Sequence, residues 1–424
     1  MDFKVPFHRR SFLHGAGVVF GTIVSWTRLL ASPGRHSDTA FVPVQPVKIR
    51  GFGETGDAYK ELGVTTVING QGTMTMLGGS LIPPEVEQVM AEAARRFVYI
   101  PDLEVAAGKR IAQLLKLPEG YTGLVTSGAA GAMTCGYAGV LTGDNDELIK
   151  RLPDLTGMKS EVIIQKAHRY GFDHAIRATG VKLIEIETIE DLKKAISPRT
   201  AMMHFANFRN SEGQIKLDEW VRLAREYHLP CFNDAAADTP PVSHLWDYVK
   251  MGYDMVAFSG GKAMRGPQCA GLLLGREEMI RCAMLNNSPF EDTLGRGQKV
   301  GKEEIVGMVK ALELYLNQDH QALSSMWQRR LDNINAQLNK LPGVGTSYYV
   351  PEIANHVPTM QVRWDAMKIR LTPEQAHEEL KNSNPSIMLG TTDNGLEITS
   401  FMLQPGEDVT IAEALVKLFR KHRA

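Results

Sequence analysis

"DMVAFSGGKAMRGPQCAGLLLG", residues 254–275, contains two apolar runs of strand length, with a glycine-rich stretch and a single lysine, Lys262, between them. A parallel crossover needs a dozen or more residues, usually a helix. The short link therefore predicts that one of these two strands runs antiparallel. Upstream, "TGLVTSG" (122–128), "EVIIQKA" (161–167), "VKLIEIE" (181–187), "TAMMHFA" (200–206) and "PCFNDAA" (230–236) are further strand-length apolar runs. Most are separated by helix-like stretches. In "LDEWVRLAREYH" (217–228), Leu217, Trp220, Val221, Leu223 and Ala224 recur at helical spacing. Near-continuous apolar strands alternating with helices predict an α/β fold, with a mostly parallel, seven-stranded sheet covered on both faces. From residue 302 a long helical segment leads into short strands ("HVPTMQVRWD", "LEITSFML") and helices ("TPEQAHEELKN", "TIAEALVKLFRKH"). The expected organisation is a large domain over 58–301, including an N-terminal arm, and a smaller α+β domain over 302–424.

The chain has 424 residues, 43% hydrophobic and 22% charged, which is ordinary for a globular protein with a large core. Lys and Arg (47) nearly cancel Asp and Glu (48), so no basic excess is present to track a nucleic-acid backbone. Cys135, Cys231, Cys269 and Cys282 lack metal-site or disulfide spacing and read as free thiols. The N-terminus differs from the rest. "FHRRSFLHGAGVVFGTIVSW" (7–26) places Arg9-Arg10 ahead of a weakly apolar run too short to span a bilayer, for which about 20 residues are needed. This layout resembles a twin-arginine export signal over 1–34, followed by a linker over 35–57. It predicts an exported or periplasmic protein with no stable membrane insertion, or a cytoplasmic one if the signal does not function.

Ligands of open α/β sheets gather at the carboxyl ends of the strands, and four features fall there. Ser127, Gly128 and Ala129 end one strand and begin a helix of small residues, where free N–H groups can meet an anion. Residues this small also permit tight helix–sheet packing, and the two readings stand level. Asp234 closes the run before "AAADTPP"; it either meets a cation or caps the next helix. His168 follows another strand end and taken alone reads as a satisfied interior residue. Lys262 is either a desolvated amine poised as a nucleophile or a lysine on an exposed hairpin tip. Together the four supply a phosphate cradle, a carboxylate for a ring nitrogen, an imidazole for a ring face and an amine for an aldehyde. Those are the requirements of pyridoxal 5'-phosphate.

The order of these groups resembles that of fold-type I pyridoxal-phosphate enzymes. "INGQGTMTMLGGSLIPPEV" (68–86), "VTSGAAGAM" (125–133), "NDAAADTPP" (233–241), "FSGGKAMRGPQCAGLLLG" (258–275) and "KVGKEEIVG" (299–307) resemble the bacterial family related to L-seryl-tRNA selenium transferase. Within it they are most similar to the branch of D-glucosaminate-6-phosphate ammonia-lyases. The resemblance implies Lys262 as the lysine that bonds the cofactor and Asp234 as partner of the pyridine nitrogen. It implies His168 over the ring, and Ser127, Gly128, Ala129 and Ser259 around the phosphate. Arg265 stands where the selenium transferase pattern has glycine, and it is a candidate clamp for a substrate carboxylate or phosphate. Lys299 and Lys302 either reach the phosphate of a neighbouring subunit or lie on a solvated face.

The implied activity is a lyase acting on an amino acid or amino-sugar acid by α-proton abstraction and β-elimination, releasing ammonia and a 2-keto acid. Transferase, aminotransferase, racemase and aldolase chemistry use the same groups, and a cofactor-binding protein without turnover is the non-enzymatic alternative. The expected partners are a small amino compound and further copies of the chain, as a homodimer or higher homo-oligomer. With signal and linker ahead of Glu61, no additional RNA-binding domain is expected, and no nucleic-acid partner.

Overall fold

The computed structural model describes residues 56–424. The expected export signal and all but the last two residues of the expected linker lie outside the described residues. The described residues divide after Val64 into two units. In the first, Asp57 caps the short helix Ala58–Glu61 by accepting the Lys60 amide at 3.0 Å.

In the second unit, β1 (Val67–Asn69) precedes seven strands that correspond to the seven apolar runs. These are β2 (Tyr121–Thr126), β3 (Glu161–Gln165), β4 (Lys182–Ile186), β5 (Thr200–Ala206), β6 (Cys231–Asp234), β7 (Met255–Ser259) and β8 (Gly271–Arg276). They form one sheet in the order β2-β8-β7-β6-β5-β3-β4. Every pairing is parallel except those of β8, which runs antiparallel to both β2 and β7. The short link after β7 leaves no length for a crossover, so the chain turns back beside it. Register then puts Thr126 and Ser259 on either side of Gly271, with Asp234 paired to Ala206 and Ala257. One edge of the sheet thus collects the carboxyl ends of β2, β5, β6 and β7 together with the start of β8.

Both faces are covered, so β3 and β5 are buried at every position. On one face Trp220, Val221, Leu223 and Ala224 of the helix Leu217–Glu226 meet Met203, Phe205, Val256 and Phe258. On the other, the helix Gly128–Thr142 lies over Met202, Phe232, Ala257 and Leu273. Glu104, from the helix Ile100–Leu115, is only 3% exposed, and its Oε2 has no hydrogen-bond partner. Burial pushes its carboxyl up to about 8. The folded protein therefore holds this proton while the unfolded chain releases it near the ordinary value of 4.5, and stability falls as pH rises between the two. Glu104→Gln keeps the shape without the charge. Its thermal midpoint should match the parent's at pH 5 and exceed it by several degrees at pH 8, reflecting a few kcal/mol, on the order of 1.4 for each unit of pH.

The C-terminal portion adds β9 (Val344–Tyr349), β10 (Thr359–Trp364), β11 (Ser386–Met388), β12 (Gly390–Thr392) and β13 (Gly395–Thr399). An antiparallel sheet β12-β13-β10-β9 packs its apolar side on the helices His320–Leu338 and Glu407–Lys421, through Leu331, Ile334, Met360, Leu396, Ile411 and Leu415. The long helical segment is two helices, Lys302–Leu316 and His320–Leu338, and Asp319 caps the second by accepting the Ala322 amide at 2.9 Å. β1 pairs in parallel with β11, and Ile68 is buried in the same core as Ile387 and Ile398.

Candidate active site

The small-residue helix begins at the sheet edge just described. Ser127 is its N-cap, no side chain caps it, and the first backbone N–H groups are left for an outside acceptor. Gly128 is in the left-handed region at φ +65, and a Cβ on Gly271 would fall 2.5 Å from the Gly128 carbonyl carbon. Only glycine lets β8 start against this turn. The contact sets Ser127, Gly128 and Ala129 close to Ser259, which lies opposite Gly271 in register.

Asp234 ends β6 as a buried carboxylate. Its Oδ1 accepts the Ala236 amide at 3.1 Å and its Oδ2 accepts the Tyr170 hydroxyl at 2.5 Å. Burial pushes the carboxyl up; the Tyr170 hydroxyl, the Ala236 amide and the charge of Lys262 pull it back. Lys262 sits in a loop folded on itself, where the Gly260 amide donates to Ala270 O and the Arg265 amide to Lys262 O, both at 2.9 Å. The lysine is half-buried, and among the described residues its amine has no hydrogen-bond or ion-pair partner. Burial lowers its pKa, opposed by the Asp234 and Asp238 carboxylates. The result is an amine that gives up its proton more easily than an ordinary lysine, beside a carboxylate suited to a cationic ring.

His168 is placed elsewhere than over such a ring. It has no exposed surface, its Nδ1 accepts the Ala206 amide at 3.3 Å, and its ring meets Phe205 edge-on at 4.5 Å. Gly213 passes so close that a Cβ there would lie 2.6 Å from Nε2. Burial lowers its pKa to about 4. The aromatic group at Asp234 is Tyr170, two residues further on, with His204 of β5 behind it at 3.2 Å and Tyr137 behind that at 2.8 Å. Neither tyrosine nor His204 stands out in sequence: one tyrosine sits in a small-residue helix, and the histidine interrupts an apolar strand. Asp238, four residues after Asp234, was also missed. It is buried, accepts from Asn207 and Tyr248, and burial raises it to about 7, with Asp234 adding to the shift.

Arg265 is held at φ +54, and its Nε donates to Leu81 O at 2.7 Å. It lines a cavity of about 160 Å³ with Ala263, Trp327, Arg330, Phe401 and Gln404. Leu403, Gln404 and Pro405, from the segment ahead of the last helix, thereby reach the lysine loop. Lys299 is exposed, and Lys302 pairs with the adjacent Glu303.

Residues 67–343 match the family described as "SelA: L-seryl-tRNA selenium transferase". The D-glucosaminate-6-phosphate ammonia lyase of Salmonella typhimurium is 28% identical over 344 residues, covering 78% of this chain and 89% of that protein. The 5'-C-glycyluridine monooxygenase-decarboxylase of a Streptomyces species is 26% identical over 380 residues, covering 86% and 92%. A solved D-glucosaminate-6-phosphate ammonia-lyase superposes with a TM-score of 0.74 at 26% identity, covering 86% of this chain and 99% of the other. These relationships imply pyridoxal 5'-phosphate. The residues present fit that cofactor: the Gly128–Gly271 contact leaves an uncapped helix start, and Lys262 offers a free amine beside the Asp234 carboxylate. On sequence, fold and site together, the chain belongs to the L-seryl-tRNA selenium transferase family.

Proposed function

We propose that this protein is a pyridoxal-phosphate lyase of the ammonia-lyase type, taking an amino acid or amino-sugar acid with a β-hydroxyl. The observation that carries this reading is the unpartnered, half-buried Lys262 amine within electrostatic reach of Asp234, in a chain related over most of its length to an ammonia lyase. When bound, the cofactor supplies an electron-withdrawing ring that stabilises negative charge at the substrate's α-carbon. The first-turn amides after Ser127, with Ser259, hold its phosphate, and Asp234 holds the proton on its ring nitrogen. Lys262 would anchor the cofactor through its amine, and the same Nζ would take the substrate's α-proton. Its lowered pKa serves that base role. The net change converts an amine and its neighbouring hydroxyl into ammonia and a 2-keto acid, with one water lost and one regained. Incubation with a panel of hydroxyamino and amino-sugar acids, assayed for ammonia and keto acid, tests this. Optical inversion without ammonia would replace the lyase by a racemase. Oxygen uptake with carbon dioxide release would point to the reaction type of the Streptomyces relative.

Arg265 and Arg330 give the cavity two guanidinium groups, which favours a substrate carrying a carboxylate or phosphate. Arg265→Gln should raise KM roughly 10- to 100-fold and leave kcat within about threefold, because a ground-state anion contact is lost. Steady-state kinetics separate the two. A homodimer is the assembly we favour. Phe97 is 105% exposed and Met76 95%, apolar surface of the kind a partner subunit covers. Light scattering should return twice the chain mass. For residues 1–34 the twin-arginine reading stands as our proposal, supported by Arg9-Arg10 ahead of Phe12-Leu13. Cell fractionation decides it, and an exported enzyme would meet free amino acids or amino-sugar acids more readily than sugar-acid phosphates.

A further inference from the structure

A buried chain of three hydrogen bonds ends on Asp234. Tyr137 Oη lies 2.8 Å from His204 Nδ1, His204 Nε2 lies 3.2 Å from Tyr170 Oη, and Tyr170 Oη lies 2.5 Å from Asp234 Oδ2. Its members come from the helix Gly128–Thr142, β5, the segment after β3, and β6. Tyr137 and His204 have almost no exposed surface. The rings also stack: Tyr170 is within 11° of parallel to His204, with centroids 6.1 Å apart.

The far end fixes the direction of the chain. Among the described residues the Tyr137 hydroxyl has no partner except His204 Nδ1. A buried O–H without an acceptor is less favourable than an oxygen with an unused lone pair, so Tyr137 donates. Nδ1 is then unprotonated, and a neutral imidazole carries its proton on Nε2. Burial holds the imidazole neutral, lowering its pKa to about 3, with the nearby His168 adding to the effect. Nε2–H donates to Tyr170 Oη, which occupies the acceptor side of that hydroxyl. The single Tyr170 proton is left for Asp234. Met133 Sδ, 3.4 Å away, is a much weaker acceptor than a carboxylate at 2.5 Å. Reversing the chain would turn the Tyr170 proton away from a buried carboxylate and leave its lone pairs facing it.

We propose that Tyr137 and His204 are positioning residues that aim the Tyr170 hydroxyl at Asp234, keeping that carboxylate ionised and directed at the protonated ring nitrogen of the coenzyme. The inference rests on the reading above that Asp234 faces that nitrogen. A packing role for the same rings makes a different prediction, because phenylalanine at 137 retains the ring and loses only the proton that orders the chain.

The test uses full-length protein stripped of coenzyme. It is titrated with pyridoxal 5'-phosphate and, separately, with the analogue carrying C–H in place of the ring nitrogen, following absorbance and tryptophan fluorescence. The parent should prefer the natural coenzyme. Tyr137→Phe should reduce that preference by about threefold to tenfold, with affinity for the analogue unchanged. His204→Phe should reduce it further, and Tyr170→Phe should nearly abolish it. If Tyr137→Phe leaves the preference intact, or weakens both ligands equally, the positioning role is overturned. A parent with no preference would instead remove the Asp234 assignment itself, so the two failures are distinguishable.

Discussion

Lys262→Ala should fold normally, show no visible coenzyme absorbance and lose turnover by roughly 10⁴-fold, the upper range for removal of a positioned acid–base group. The lysine has two tasks that alanine cannot share: its amine is the point of attachment, and the same nitrogen is the base for the α-proton. Burial makes it competent for the second by lowering its pKa, while the Asp234 and Asp238 carboxylates limit the fall. The rate should therefore rise with pH through a value below that of an ordinary lysine, since the deprotonated amine is the active form. Lys262→Arg should be as inactive as alanine, because a guanidinium stays protonated throughout the accessible range. Borohydride treatment of the parent followed by peptide mass analysis should find the coenzyme on the peptide containing Lys262. Attachment at any other lysine would sink both this prediction and the site built around it.

Asp234→Asn should retain the coenzyme through phosphate and lysine but bind it about 10- to 100-fold more weakly. A hydrogen bond to a charged partner contributes about 1.5–3 kcal/mol, and the amide removes the charge. Turnover should fall further than affinity. Without an anion beside it the ring nitrogen holds its proton less firmly, and the ring becomes a poorer acceptor when the substrate loses its α-proton. Titration calorimetry of stripped protein gives the first number and steady-state kinetics the second. An unchanged affinity together with unchanged turnover would show that the ring nitrogen lies elsewhere.

Much of the fold was legible because a strand buried on both faces leaves an unbroken apolar run. Burial of β5 from Thr200 to Ala206 is that signature, and chain length alone showed that β7 and β8 run in opposite directions, the structure assigning the reversal to β8. What escaped were features without a local signal. One is the pairing of the short strand β1 with Ser386–Met388, since nothing in either stretch names the other. The break at Asp319 was hidden because apolar spacing continues on both sides of it. The candidates Ser127, Gly128, Asp234, Ser259 and Lys262 stand out in the sequence because they lie at strand ends beside small residues, and register gathers those strand ends along one side of the sheet. Tyr137 and His204 do not, since an aromatic in a helix and a histidine in an apolar strand look like packing until register brings them together. For His168 the position was readable but the direction of its ring was not. That depends on Phe205 and on the loop at Gly213 closing over it.

The reversal of β8 also settles what the lysine loop can tolerate. Its backbone leaves from Ser259 and is recaptured at Gly271, neighbours across one ladder, but between them Ala263 and Met264 are buried in the main core, and Arg265 and Gln268 donate to Leu81 O and Thr75 O. Changes at Ala263 or Met264 would press on that core, whereas the exposed Cys269 can vary without disturbing it. The lysine loop is thus moored along its length as well as at its ends, and an exchange of residues 263–269 between relatives would have to carry the segment 75–81 with it.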